Sequence, residues 1–119
     1  MKSGALQEKS FAFAVRIVNA CKFLTDKKKE FVIAKQLLRA GTAVGALVRE
    51  AEQAESKPDF IHKLAIALKE ANETEYWLEL LLATKYLDRP AFDSLHRDTT
   101  ELLKLLTSII KTAKRGLNG

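Results

Sequence analysis

Apolar residues recur at intervals of three and four along nearly the whole chain, and the rhythm breaks in only three places. Leu6, Phe13, Ile17, Ala20 and Leu24 line a first seam; Ile33, Leu37, Ala40, Val44, Leu47, Ala51 and Ala54 line a second. Ile61, Leu64, Leu68, Ala71, Leu78 and Leu82 make a third, and Phe92, Leu95, Leu102, Leu106 and Ile109 a fourth. This is the period of an amphipathic helix, and no segment alternates at period two between turns as a half-buried strand would. The breaks carry helix-ending chemistry. Thr25 to Phe31, TDKKKEF, is a polar turn; Ser56 and Asp59 flank Pro58 as a capping pair; Asp88 stands just before Pro90. The pattern predicts helices over residues 5–25, 28–55, 57–87 and 89–115. Long helices joined by short turns make an all-α, up-down-up-down antiparallel four-helix bundle, here one domain over residues 1–119.

The seams do not exhaust the apolar content. Phe11, Val15 and Val18 lie beside the first; Phe60, Ile66, Trp77 and Leu81 beside the third; Leu103 and Ile110 beside the fourth. Stripes this wide point to a second contact surface, for which self-association is the economical explanation and a broad core the alternative.

With 47% hydrophobic and 29% charged residues, the composition is that of a globular protein rather than a disordered or fibrous one. Cys21 is the single cysteine, so no disulfide can close within one chain, which fits a reducing, cytoplasmic setting. The sequence shows no signal-peptide pattern and no apolar run long enough to span a bilayer, so no membrane role is expected. The net charge is +5, and it is uneven. Residues 1–30 carry seven Lys/Arg against three acids, residues 91–119 five against three, and residues 31–90 eight against nine. If the two chain ends are neighbours, they form one basic face able to attract RNA or DNA; the plainer alternative is a solubilising surface. The candidate contacts are Lys22, Lys27, Lys28, Lys29, Lys111, Lys114 and Arg115.

Against that background the acidic stretch LKEANETEYWLELL, residues 68–81, stands out. Folding helices two and three antiparallel about the turn at 55–58 sets Glu70 and Glu73 level with Ala43 and Ala40. Glu73 then has Arg39 within reach, and Lys104 of the fourth helix is level with it across the other turn. Half-buried carboxylates need such partners, so a polar layer fixing register is expected from these residues. Gly41 and Gly45, on one face of the facing run, allow two backbones to approach closely or leave room for larger side chains opposite. Neither a membrane dimer motif nor a phosphate loop fits the pair, because Arg39 and Arg49 flank it and no Gly-Lys-Ser/Thr follows. Two Asp-x-x-His turns, Asp59–His62 and Asp93–His96, open helices that run in opposite directions, so they cannot share a metal. No nucleophile-and-base constellation occurs. The residues therefore argue against an enzyme and imply no metal or cofactor.

The run GTAVGALVREAEQAESKPDFIHKLAIALKEANETEYWLELL, residues 41–81, resembles the four-helix bundle family of 23S ribosomal RNA intervening-sequence proteins, which includes accessory proteins of diversity-generating retroelements. Ser-x-x-Asp-Phe, Ile-Ala-Leu-Lys-Glu-Ala and Glu-Thr-x-Tyr-Trp-Leu occur in the family's order and spacing, and the likeness extends more loosely over the whole chain. The resemblance implies bacterial origin, assembly into a ring-shaped homopentamer and no catalysis. For members similar to the retroelement proteins it also implies a basic surface that engages nucleic acid and a reverse transcriptase. The matching residues are Glu50, Ser56, Asp59, Phe60, Lys69, Glu70, Glu73, Thr74, Tyr76 and Trp77, read as packing and interface positions. A protein-binding scaffold with no nucleic-acid role is the rival expectation.

Overall fold

Three of the helix starts are marked by side chains that accept backbone N–H groups otherwise left without partners. Ser56, in extended conformation, accepts from the Asp59 amide at 3.2 Å and opens α3, Lys57–Ala83. Asp59 reaches back to the amide of Glu55 at 3.4 Å, one residue earlier than a strict capping box. Asp88 accepts from the Ala91 amide at 2.9 Å at the head of α4, Arg89–Asn118. In α2, Val32–Glu52, the residue before the helix offers no side-chain cap. Glu30 takes over and accepts from the Ala34 amide at 2.8 Å. α1 spans Gly4–Asp26. The structure, a computed structural model, describes residues 4–118. Among these the fold is all-α, and no helix is long and apolar enough to cross a membrane.

Two boundaries differ from the sequence pattern by four residues, and the ends of α2 and α4 by three. α2 begins at residue 32 rather than 28, because Lys29 takes a left-handed backbone (φ 56°) that ends the preceding turn. α3 stops at residue 83 rather than 87: the Tyr86 amide bonds to Leu81 and the Lys85 amide to Leu82, the two bonds of a Schellman turn. The residue that must be left-handed there is Lys85 (φ 68°), where glycine is usual.

Partner numbers fall along one helix as they rise along the next, so neighbours are antiparallel. Lys9 meets Glu101 and Arg16 meets Asp98 between α1 and α4; Glu50 meets Lys63 and Arg39 meets Glu70 between α2 and α3. Cys21 donates to the Ala34 carbonyl at 3.3 Å, across α1 and α2. Each helix packs on its sequential neighbours and α4 closes on α1, giving a rod 50 × 21 × 20 Å. At one end, the upper, α1 and α3 finish and α2 and α4 begin. The lower end holds the start of α3, where the Lys57 ammonium comes close to Gly116 near the end of α4, a position where a cation complements the helix dipole.

The core follows the seams with informative exceptions. Phe60, Leu81 and Ile110 are buried, whereas Leu68, Leu82 and Ile109 are half-buried. Thr74 and Thr99 are fully buried because each hydroxyl bonds the carbonyl four residues back, at 2.8 and 2.9 Å, leaving only a methyl to pack. Gly41 and Gly45 face α1 rather than α3. A Cβ on Gly41 would stand 2.8 Å from Ile17, and one on Gly45 would stand 3.2 Å from the backbone oxygen of Ser10. Of the surplus apolar side chains, Phe11 and Val15 remain exposed on α1, joined by Phe31, Val32 and Leu38 around α2.

Gly41→Val should lower stability by about 2 kcal/mol or more, since the buried, β-branched Ile17 has no room to retreat. An unchanged urea midpoint would contradict the close approach. Lys29→Gly should raise stability by about 0.5–1 kcal/mol by removing left-handed strain from a side-chain-bearing residue; a lower midpoint would count against that backbone assignment.

Candidate nucleic-acid interface

The structure separates the cations near the two ends of the chain. Lys22, Lys27, Lys28 and Lys29 sit at the upper end, on the last turn of α1 and the loop after it. Lys111, Lys114 and Arg115 sit at the lower end, on the last turns of α4. α1 and α4 are neighbours, but they are antiparallel, so their C-terminal ends point apart. Lys111 lies 22 residues beyond the head of α4, about 33 Å along its axis. The single basic face expected from the two clusters is therefore not formed within one chain.

What the fold assembles instead is a line of cations on α4. Arg97, Lys104 and Lys111 are exposed and recur every seven residues, about 10.5 Å per step, drifting only about 20° around the helix each time. Thr100, Glu101, Leu103, Thr107 and Ser108 lie between them along shallow depressions. The carboxylates of the same helix are engaged elsewhere. Asp93 pairs with Arg89 at 3.2 Å, Asp98 with Arg16 at 2.6 Å and Glu101 with Lys9 at 3.2 Å. Arg16 also donates to the Ser94 carbonyl and hydroxyl oxygens, at 3.3 and 2.8 Å. Among the described residues, none of the three stripe cations has a carboxylate partner within ion-pair distance. The seven-residue spacing of Arg97 and Lys104 was visible in the sequence. That α1 neutralises their acidic neighbours was not.

The acidic stretch of α3 is held by α2. Arg39 donates to Glu70 at 3.2 Å and to Glu73, while Glu73 also accepts from the Trp77 indole at 2.9 Å. Gln36 accepts from the Arg39 Nε at 3.2 Å, which steadies the fork. Trp77 packs edge-on against Tyr76, centroids 5.0 Å apart. Lys104, the other partner considered for Glu73, lies on the outer face of α4. Glu50 pairs with Lys63 at 3.3 Å, and Glu75 with His96 at 2.9 Å between α3 and α4. With Arg39 about half exposed, each such pair contributes about 1 kcal/mol or less. Their main effect is to set which turn of α2 faces which turn of α3.

The upper end holds a cleft of about 680 Å³. Ala20 and Phe23 of α1, Leu82 of α3, the turn residues Lys85 to Asp88, Arg89, Ala91 and Leu95 of α4, and Lys28 line it. It runs on as a groove of about 300 Å³ between α1 and α4, past Arg16 and Asn19. Below it, Cys21 is buried, and burial pushes its thiol up to about 11, so it stays protonated and unreactive near neutral pH.

No curated protein matches the sequence. The fold and much of the sequence are shared with the crystal structure of a protein of unknown function from the S23 ribosomal protein family of Bacteroides thetaiotaomicron VPI-5482. That protein is 62% identical, with a TM-score of 0.88, and the match covers 89% of this chain and 98% of the other. The family model for the 23S rRNA-intervening sequence protein matches residues 4–108, which include all of α1, α2 and α3 and most of α4. The chain belongs to the 23S rRNA-intervening sequence protein family.

Proposed function

We propose that this protein is a non-enzymatic accessory protein that binds RNA or DNA along the phosphate backbone, with little sequence discrimination, and works as a homo-oligomer. The observation that carries this reading is the α4 stripe: three exposed cations in register, with the acids of their own helix already paired to α1 or within the helix. Lysine and arginine on such a surface recognise phosphate charge rather than base edges. No side chain on the stripe is aromatic, so α4 itself supplies no stacking platform. The exposed apolar residues Phe11, Val15, Phe31, Val32 and Leu38 support self-association, and a homopentamer is the assembly in keeping with the resemblance. The same apolar residues favour the second reading, a protein-binding scaffold in which the cations only confer solubility. A reverse transcriptase is the protein partner in keeping with the resemblance.

Titration of a mixed-sequence RNA hairpin across a salt series separates the two. Binding should weaken steeply as salt rises. Combined Arg97→Glu, Lys104→Glu and Lys111→Glu should weaken it at least about ten-fold at low salt and flatten the salt slope by about 2, as expected when two or three phosphate contacts are lost. Circular dichroism should stay helical in the variant. Absence of binding to RNA and DNA at low salt would leave only the scaffold.

A further inference from the structure

The upper cleft differs in chemistry from the stripe. Its floor is aliphatic, from Leu82, Leu87 and Leu95, and its walls include two aromatic rings, Phe23 and Tyr86. Phe23 remains 44% exposed, so its ring has apolar surface left uncovered. Three cations border this lining: Lys28, whose ammonium sits over the Phe23 ring at 5.8 Å, Lys85, and Arg89, which also pairs with Asp93 on its own helix. Its one carboxylate, Asp88, is already occupied in capping α4. A volume of about 680 Å³ lies within the range of small-ligand sites. The left-handed backbone of Lys85 adds a second kind of observation. Glycine would satisfy that turn without strain, yet a lysine occupies it and lines the cleft.

We propose that this cleft seats one unpaired nucleotide, its base against the apolar floor and Phe23 and its phosphate among Lys28, Lys85 and Arg89. The inference rests on the backbone-binding reading and makes it more specific: the protein prefers a duplex with a single-stranded end to a fully paired one. The cleft opens at the head of α4, and Arg97 follows Arg89 by eight residues, about 12 Å along the same helix. A strand leaving the cleft at Arg89 would have to wind about 80° around α4 to reach Arg97, and from there would meet Lys104 and Lys111 in turn. Base stacking on aromatic and apolar surface tolerates any sequence, in agreement with backbone-led binding. A flat base with a polar edge suits a cleft that is open to solvent along one side, where a hydrocarbon tail would stay partly wet.

The test uses the full chain and two RNA hairpins with equal phosphate number, one blunt and one with a three-nucleotide overhang containing 2-aminopurine, made with either 5′ or 3′ polarity. The overhang should bind about ten-fold tighter for one polarity, within the range of stacking one base, and its fluorescence should fall on binding. Phe23→Ala and Lys85→Glu, each at a solvent-exposed position, should cut that preference below about two-fold and leave blunt-hairpin affinity within about two-fold. The α4 triple variant should weaken both hairpins alike. Equal binding of blunt and overhanging hairpins by the wild type, or an undiminished preference in both cleft variants, would overturn this inference and leave backbone binding standing. Displacement of the overhang by decanoate but not by adenosine monophosphate would assign the cleft to aliphatic acids and also overturn it. No binding of either hairpin would remove the backbone reading and this inference together.

Discussion

Burial of one apolar seam on each of four helices is the interaction from which everything else in this molecule follows. Leu6, Ile17, Leu37, Leu64, Leu78 and Leu106 lose all contact with water, and each such side chain contributes about 1.5–3 kcal/mol relative to exposure. Nothing comparable comes from the ion pairs, all of which involve partly exposed side chains. The charged residues are thus free to specify register and surface without having to hold the fold together.

Register is set by small features on the flanks of the seams. Gly41 and Gly45 bring α1 close to α2, with Ile17 and the Ser10 carbonyl filling the space that a larger side chain would need. On the other side of α2, Arg39 bridges Glu70 and Glu73 and so ties it to one turn of α3. Arg16, Asp98 and Ser94 do the same for α1 and α4. Each device is weak alone, but together they select among sliding arrangements that would bury similar apolar area.

That selection has an electrostatic consequence. By pairing Asp98 and Glu101 with Arg16 and Lys9 of α1, the fold offsets the acids beside the α4 cations, although Glu101 still lines the depression between Arg97 and Lys104. The short α3–α4 turn, with its left-handed Lys85, then places more positive charge around an apolar cleft at the head of that same helix. Neutralisation on one side and accumulation on the other arise from the same antiparallel packing.

Helix number, helix type and two of the helix starts were legible in the sequence, because capping by Ser56 and Asp88 and spacing at three and four act within a few residues. Family membership was legible too, in the ordered motifs of residues 41–81. The burial of Thr74 and Thr99 was hidden, since a hydroxyl satisfied within its own turn looks polar in any linear reading. Tertiary structure alone decided that Lys22–Lys29 and Lys111–Arg115 lie at opposite ends, and that α1 pairs with Asp98 and Glu101 beside the line of Arg97, Lys104 and Lys111. Charge along a chain adds up without regard to direction, but antiparallel helices reverse direction at every turn. Which cations share a surface is therefore fixed by packing rather than by their closeness to the chain ends.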